Sequence, residues 1–533
     1  MTTLPTEVGW GSRVVVGLDV GTTSVKAVAF DVGEPRRIVV GRKYALDGPA
    51  SGWQTQDPGS VIAAAGSALA ECVAALGASR VAAISLCAAM HGLVALDADR
   101  RPLTPLVTWA DRRASEEARA LRHSGQAAEL HRTTGVPVHP MSPLAKLAWF
   151  AGHDREVWAA ARWWVGLKEC LVDWLTGTLA TELSSASGTG LLSMATRTWS
   201  PFALEAAGVP VDKLPEILPP TAVLELTPGA GRAIGLPAGT PVVVGAADGP
   251  LGNLGAGAIT PGVAGLTLGT SGALRLTVAE PRLDDDLTLF CYALTESLWV
   301  VGGALSNGGD VIGWAGRALA PDIAASAGAD ADAAILELAA GVPAGAEGLV
   351  AVPYLLAERA PLWDADLAGA YLGLRAHHTR AHLVRAVVEG VSFGMRVILD
   401  RLDAIETVAQ VRATGGAFRS ALWREVMAAV LDRPFTVTAG LEGTALGAAA
   451  LGLVALGDAP GFPEALTRLT GPGEAVAVGR APDLVAAYAA LGDELRARID
   501  ELGAIAALAR RRPGALRPGP VTEPPGTGTT GPS

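Results

Sequence analysis

The sequence predicts an α/β protein built from two related halves. Segments with the pattern of β-strands alternate with segments of helical period, which is the organisation of α/β chains. The stretch GLDVGTTSVKAVAF at 17–30 recurs as GLTLGTSGALRLTV at 265–278, and repetition of this kind indicates two halves of similar structure. The length of 533 residues also suits two domains better than a single core.

Composition and charge narrow the class of protein. Half of the residues are hydrophobic, 18% are charged and the net charge is −11, so we expect a globular chain that binds neither nucleic acid nor an anionic membrane. The four cysteines have no CxxC spacing, which is typical of free thiols in a reducing compartment. The N-terminal stretch lacks the pattern of a signal peptide, and the sequence has no run of about 18–20 apolar residues, the length that a membrane span needs. These features predict a cytoplasmic protein.

In the first half, a pair of strands precedes a helix and two apolar strands. Both apolar stretches lack the alternation of a half-exposed strand, so we expect them to be buried on both faces. The first domain is placed at 13–258. The expected elements are a strand pair at 13–30, strands at 81–87 and 241–248, a helix at 58–76 and a Trp-rich segment of helical period at 155–176.

The second half starts with the repeated strand pair and continues with longer helices. The second domain is placed at 259–503, and the Pro-, Gly- and Arg-rich stretch 504–533 is expected to be a disordered tail. The expected elements are a strand pair at 265–278, a helix near 308–320, an amphipathic helix at 379–403, a strand at 411–414 and a helix at 420–431.

Each strand pair carries a Gly-Thr-rich turn that suits phosphate groups. Such a turn directs several N–H groups and hydroxyls to one point, and no side chain blocks the approach. Only the first half has an acid before its turn, Asp19, where the second has Thr267. A carboxylate there suits the Mg²⁺ ion that phosphoryl transfer from ATP requires. The expected phosphate-binding residues are Gly21, Thr22, Thr23 and Ser24 in the first turn and Gly269, Thr270 and Ser271 in the second.

A P-loop is excluded, because none of the five lysines is followed by Ser or Thr. The motifs D-x-G-T-T-S-x-K at 19–26, L-G-T-S-G at 268–272 and T-G-G-A-F-R-S at 414–420 instead resemble the FGGY carbohydrate kinases. The resemblance extends over 13–503 and implies two ribonuclease H-like (actin-like ATPase) domains with the active site in the cleft between them. Stretches such as GVPVHPMSPLAKLAWF at 135–150 are similar to the gluconate-phosphorylating members of that family.

The resemblance also implies roles for individual residues. Asp248 ends a buried strand, where the residues alone suit either a helix cap or a catalytic base, and in the family this acid is the base. Segments 88–92 and 108–113 line the sugar pocket of relatives. A gluconate carboxylate needs a cationic partner, and the sequence does not choose among Arg112, His139, Lys146 and Arg359. The expected substrate-binding residues are Met90, His91, Trp109, Asp111, Arg112, His139, Lys146 and Asp248.

The nucleotide is expected to bind mainly to the second half. A strand that ends at two glycines lets the backbone approach a base or ribose closely. The resemblance adds Lys26 of the first motif to this set. The expected nucleotide contacts outside the turns are Lys26, Gly415, Gly416, Ser420 and Glu442.

Together these features predict ATP- and Mg²⁺-dependent phosphorylation of D-gluconate to 6-phospho-D-gluconate, with Asp248 as base and Asp19 near the metal ion. One alternative is another FGGY kinase, which would act on xylulose, ribulose or a polyol. Another is an actin- or Hsp70-like ATPase, which would hydrolyse ATP without sugar. The expected partners are a sugar acid and ATP, and the sequence leaves open whether the protein forms a homodimer.

Overall fold

Two mixed β-sheets organise the chain. The computed structural model describes residues 10–356, 358–364, 367–438, 442–471 and 475–497, so the predicted tail at 504–533 lies outside the described residues. The strands are β1 Val14–Val20, β2 Ser24–Asp31, β3 Arg37–Lys43, β4 Thr55–Gln56, β5 Val81–Ala88, β6 Val94–Leu96, β7 Leu106–Val107, β8 Trp163–Val165, β9 Ala180–Glu182, β10 Glu216–Leu218, β11 Val223–Glu225, β12 Pro241–Ala247, β13 Val263–Leu268, β14 Gly272–Val278, β15 Phe290–Ala293, β16 Trp299–Leu305, β17 Val350–Val352, β18 Ala370–Leu372, β19 Gln410–Thr414, β20 Phe435–Thr438 and β21 Ala475–Val478.

Helices cover the two sheets and fill the segments between strands. They are α1 Pro58–Leu76, α2 Ser115–His123, α3 Ala127–Thr134, α4 Pro143–His153, α5 Arg155–Ala160, α6 Leu167–Thr176, α7 Leu183–Ser187, α8 Pro201–Ala207, α9 Pro228–Ile234, α10 Asp248–Gly255, α11 Asp310–Leu319, α12 Pro321–Ala327, α13 Ala331–Ala340, α14 Arg380–Ile405, α15 Ala421–Leu431, α16 Gly443–Ala455, α17 Phe462–Thr470 and α18 Pro482–Ala497.

The two large sheets share one topology. The first has the strand order β11-β12-β5-β1-β2-β3 and the second the order β15-β16-β14-β13-β19-β20-β21. In the first, β1, β2 and β3 are antiparallel neighbours, while β5 and β12 continue the sheet in parallel beyond β1. In the second, β13, β14 and β16 repeat the antiparallel part, and β19 and β20 repeat the parallel part. The internal repeat in the sequence is therefore a repeated sheet, as predicted.

Most of the expected elements are confirmed to within two residues, but the segment 155–176 is different. Its helical period predicted helix throughout, whereas α5 and α6 are separated by the short strand β8. β8 pairs with β6, and Trp164 and Val165 in it are buried. Pairing with β6, which lies elsewhere in the chain, therefore overrides the helical period of the segment 155–176. A short window of sequence does not contain this partner.

By length and composition alone, one helix in the described part of the chain, α1, could span a membrane, with a mean hydropathy of 1.6. Ser60, Ser67 and Glu71 interrupt its apolar residues, so it is not the continuous apolar run whose absence the sequence indicated. Nine of its residues are buried, and it contacts β2 and β3 of the first sheet. Core helices of this kind meet the same criterion because burial in protein also selects apolar residues.

Close backbone contact between α10 and α16 joins the two halves. A Cβ on Gly447 of α16 would lie 2.1 Å from the Leu251 carbonyl oxygen of α10, and one on Gly255 would lie 1.8 Å from the Gly443 carbonyl oxygen. α16 also packs on β1, where a Cβ on Gly17 would lie 2.2 Å from a carbonyl oxygen of that helix. Glycine is required at these positions because any side chain would push the halves apart.

Replacing Gly447 with alanine should therefore destabilise the protein. The added methyl group overlaps the Leu251 carbonyl, and overpacking of this kind costs about 2 kcal/mol in the free energy of unfolding. Gly443→Ala on the same helix is the matched control, because its methyl group meets nothing within 4 Å. Urea unfolding of both variants measures the difference. Equal stability of the two variants would contradict this account of the α10–α16 contact.

Candidate active site

One cavity gathers side chains from both halves of the chain. Its volume is about 250 Å³, and it is lined by Thr22 of the first Gly-Thr turn, Ser271 of the second and Asp248 at the start of α10. Met90, His91 and Trp109, three of the predicted substrate-binding residues, also line it. The remaining polar lining residues are Arg275, Tyr292 and Arg359.

The first turn connects β1 to β2 and is held by bonds to its own backbone. The Gly21 N–H donates to the Ser24 carbonyl oxygen at 2.9 Å. Tyr44 holds the turn from the neighbouring chain segment, since its hydroxyl donates to the Gly21 carbonyl at 2.5 Å and its N–H to the Thr23 carbonyl at 3.2 Å. At the cavity, the Trp109 indole N–H donates to the Thr22 hydroxyl at 2.9 Å. The turn therefore has a fixed shape before any ligand binds.

The second turn is seated on the start of α11. The Gly309 N–H donates to the Gly269 carbonyl at 2.6 Å, and the Gly308 N–H donates to the Thr270 carbonyl at 3.0 Å. A Cβ on Gly308 would lie 2.5 Å from the backbone of Ser271. No role was predicted for these two glycines, although two adjacent glycines before a helix indicate close backbone contact.

The predicted nucleotide glycines lie beside the second turn. Gly415 has a φ of 118°, and a Cβ there would lie 2.2 Å from the carbonyl oxygen of Leu268, the last residue before that turn. The neighbouring Gly416 has open space where its side chain would be. Ser420 immediately precedes α15. The structure thus groups three of the predicted nucleotide contacts on the second half.

Lys26 and Glu442, also predicted to contact nucleotide, pair with each other across the two halves. The Lys26 Nζ lies 2.5 Å from a Glu442 carboxylate oxygen, and both side chains are partly exposed. Two residues further on, the Thr444 hydroxyl donates to the Asp19 carboxylate. The start of α16 is therefore tied to β1 and β2 at two points beside the first turn.

Asp19 and Asp248 are two acids in one poorly hydrated region. Burial raises the pKa of Asp19 to about 6, the Thr444 hydroxyl opposes the rise and the nearby Asp248 adds to it. Burial also raises the pKa of Asp248, against the charge of Arg275 and N–H donors from the backbone. Asp248 Oδ1 accepts from the Gly249 N–H at 2.8 Å and from the Met90 N–H at 3.3 Å. Both carboxylates would be more stable beside a cation.

His91 offers the cavity a hydrogen-bond acceptor. Its Nδ1 lies 2.8 Å from the Gly188 carbonyl oxygen, so Nδ1 carries the proton and Nε2 is left as an acceptor. Burial lowers the pKa of His91 to about 3, which keeps the ring neutral. A neutral imidazole in the wall of the cavity suits a sugar hydroxyl as donor.

Asp111 and Lys146 were predicted to bind substrate, but neither lines the cavity. The Asp111 carboxylate is completely buried and accepts hydrogen bonds from Nε and Nη2 of Arg113, both at 2.9 Å. Lys146 is also completely buried, and its Nζ donates to the His91 carbonyl at 2.5 Å and the Thr108 carbonyl at 2.8 Å. The structure therefore places Lys146 behind the cavity, where it joins the two loops that carry His91 and Trp109.

His139 and Arg112 also lie outside the cavity lining. His139 is buried and its Nδ1 accepts from the Met141 N–H at 3.2 Å, while its Nε2 has no hydrogen-bond partner among the described residues. Burial lowers the pKa of His139 well below its usual value, and Arg359 adds to the effect. Arg112 is exposed. Of the four cations that the sequence offered for a carboxylate, Arg359 is the one in the cavity wall.

Arg275 and Tyr292 are cavity residues that the sequence analysis did not identify. Arg275 is in β14, directly after the second turn, and Tyr292 is in β15. The available signal for Arg275 was a charged residue in the otherwise apolar strand GALRLTV. Tyr292 gave no such signal, because a tyrosine in a buried strand is ordinary.

The chain has two large sheets of similar topology and a cavity where the two halves of the chain meet. This is the arrangement of the actin-like ATPase fold. Models of the FGGY family of carbohydrate kinases match the chain over 14–255 for the N-terminal domain and 264–456 for the C-terminal domain. The chain belongs to the FGGY family of carbohydrate kinases. A gluconokinase of Bacillus subtilis (strain 168) is 35% identical over 458 residues, which cover 84% of this chain and 88% of that protein.

Solved structures of sugar kinases have the same fold. A gluconate kinase from Lactobacillus acidophilus has a TM-score of 0.86 and 31% identity, and covers 93% of this chain and 99% of its own. A ligand-bound xylulose kinase from the same species has a TM-score of 0.86 and 30% identity, and covers 93% of this chain and 100% of its own. The fold is thus common to kinases of different sugars and does not by itself select the substrate.

Replacing Lys146 with methionine tests its place behind the cavity. The change should lower the free energy of unfolding by about 2 kcal/mol, because the carbonyls of His91 and Thr108 lose their buried donor. Burial lowers the pKa of Lys146 to about 7, whereas the unfolded lysine keeps its usual value near 10.5 and binds more protons above pH 7. This group therefore adds stability as pH rises from 7, and the difference between wild type and variant should grow.

Chemical unfolding at pH 7 and pH 9 measures both effects, with the exposed Lys43→Met as control. Unchanged stability combined with a large loss of sugar affinity would instead assign Lys146 to direct substrate binding.

Proposed function

We propose that this kinase phosphorylates D-gluconate at its terminal (C6) hydroxyl with ATP, giving 6-phospho-D-gluconate and ADP. The observation that carries the proposal is the charge of the cavity wall, where Asp248 faces the guanidinium groups of Arg275 and Arg359. A polyhydroxy acid supplies a carboxylate that these guanidinium groups can bind. The 35% identity to a gluconokinase over most of the chain supports the same substrate.

In this proposal Asp248 orients the substrate hydroxyl and accepts its proton as the oxygen attacks the γ-phosphorus. The raised pKa of Asp248 suits this role, because a base works best when its pKa is not far below the working pH. The Nε2 of His91 accepts a hydrogen bond from another hydroxyl of the sugar chain and helps to fix its position. The ring of Trp109 forms part of the wall.

The Gly-Thr turns hold the phosphates in this proposal. Thr22 and Ser271 line the same cavity as Asp248, so the transferred group would lie between the turns and the base. Asp19 fits a divalent cation, since its carboxylate is partly buried, lies near a second acid and has a raised pKa. When bound, Mg²⁺ neutralises charge on the β- and γ-phosphates.

The decisive experiment is coupled ADP release with Mg-ATP and one acceptor at a time. The acceptors are gluconate, xylulose, ribulose, glycerol and none. Turnover with gluconate alone is the expected result. Turnover with a pentulose or glycerol instead would keep the kinase and replace the substrate, while ADP release at an equal rate without sugar would identify an ATPase.

Asp248→Asn should reduce kcat at least about 100-fold, because loss of a general base typically costs that much or more. The expected measurement is steady-state turnover of gluconate at saturating ATP. Asp322→Asn, on the surface of α12, is the matched control and should retain wild-type turnover. An Asp248→Asn protein with more than a few per cent of the wild-type rate would remove the assignment of the base.

The rate should also decline on the acid side at a higher pH than an ordinary aspartate would cause. Burial raises the pKa of Asp248 above its usual 3.8, and the base is active only when ionised, so activity is lost as pH falls through that raised pKa. A pH profile of kcat/KM between pH 4 and 9 measures this loss of activity on the acid side. Full activity down to pH 4 would contradict the prediction.

A further inference from the structure

We infer that Arg275, together with Arg359 and the Tyr292 hydroxyl, binds the carboxylate of the substrate and thereby selects sugar acids over neutral sugars. The inference rests on the proposed function and assigns its substrate preference to a particular residue. Arg275 is the centre of the proposed subsite, which lies in the cavity wall formed by β14 and β15.

The charges in and behind the cavity wall leave Arg275 less well paired than Arg359. In the described lining the charged groups are Asp248, Arg275 and Arg359, and behind the wall the Glu358 carboxylate attracts Arg359 and accepts from its backbone N–H at 2.8 Å. Burial lowers the pKa of Arg275 to about 10, against the attraction of Asp248, so the arginine is still charged at neutral pH. Asp248 attracts Arg275 but forms no hydrogen bond with it within the described residues, so an anionic ligand that bonds to this guanidinium offsets the cost of its burial.

Polar atoms without hydrogen-bond partners also mark the proposed subsite. Arg275 Nε and the Tyr292 hydroxyl are both buried and make no hydrogen bond within the described structure. Arg359 is held from behind, since its Nε donates to the Ser306 hydroxyl at 3.2 Å and its Nη2 to the Leu305 carbonyl at 2.9 Å. Buried donors of this kind are normally satisfied, so their positions indicate a ligand with acceptor oxygens.

Glycines give Arg275 its position. It lies opposite Gly302 of β16, where a Cβ would come within 3.0 Å of the Arg275 Cγ. On the side of α10, a Cβ on Gly249 would lie 3.6 Å from the Arg275 Nε. The guanidinium therefore lies in a slot between β16 and the start of α10. It is close to Asp248, the proposed base, but forms no hydrogen bond with it within the described residues.

A carboxylate fits this slot better than the other anion of the reaction. Guanidinium groups bind planar carboxylates through two parallel hydrogen bonds, and a phenol hydroxyl adds a third donor. The phosphates of ATP have donors of a different kind in the two Gly-Thr turns. A neutral sugar would bring no anionic oxygen to the Arg275 guanidinium. The γ-phosphate of ATP is the other anion that could bind Arg275, so the test must distinguish it from the substrate carboxylate.

The test compares Arg275→Gln with Arg380→Gln, a surface arginine on α14 that pairs with Asp322. For each protein, titration with D-gluconate and with the neutral polyol D-glucitol is followed by tryptophan fluorescence, since Trp109 and Trp363 line the cavity. We expect gluconate affinity and kcat/KM to fall about 100-fold in Arg275→Gln, as for truncation of one partner of a buried charge pair. D-glucitol affinity and the KM for ATP should change less than threefold, and Arg275→Lys should recover part of the gluconate affinity.

The other outcomes would overturn the inference or assign Arg275 a different role. Equal loss of gluconate and D-glucitol affinity would overturn the inference in favour of a structural role, and a rise confined to the KM for ATP would assign Arg275 to the γ-phosphate. Should Arg275→Gln lose its fold, Tyr292→Phe, which removes a single hydroxyl, must show the same selective loss on a smaller scale. A wild-type protein that binds no gluconate would refute the proposed function, whereas wild-type turnover of gluconate with no selective effect of Arg275→Gln would refute this inference alone.

Discussion

The backbone contact between α10 and α16 is the constraint on which the rest of the site depends. Asp248 is the first residue of α10, while Glu442 and Thr444 at the start of α16 bond to Lys26 and Asp19. Because glycines let the two helices approach until backbone touches backbone, one packing contact fixes both the position of Asp248 beside the cavity and the side of the first Gly-Thr turn. A shift of either helix would move both at once.

Removal of water is the second common cause in this site. Burial is the largest influence on the pKa of Asp19, Asp248, His91 and Arg275. It favours a neutral imidazole at His91, and it leaves acids and arginines with less solvation than they have in water. A charged ligand that enters such a site interacts with these groups more strongly than it would at an exposed surface.

Local pattern predicted most of the fold and part of the site. Strand and helix positions, the repeated strand pair and the turns that carry Thr22 and Ser271 follow from period and turn chemistry within a few residues. The exceptions depend on distant contacts. β8 forms because β6 lies beside it, and Lys146 is a buried donor to loops at His91 and Thr108 rather than a lining residue. No window of sequence contains these partners.

The sequence by itself determined the α/β class, the two related halves and the positions of the two acids, because each rests on a short stretch with a strong local preference. The tertiary structure alone decided which cations face the cavity. The sequence did not distinguish among Arg112, His139, Lys146 and Arg359. Of these four only Arg359 lines the cavity, together with Arg275 of β14. That choice depends on which face of each strand and loop turns inward, and this is fixed only when both halves pack together.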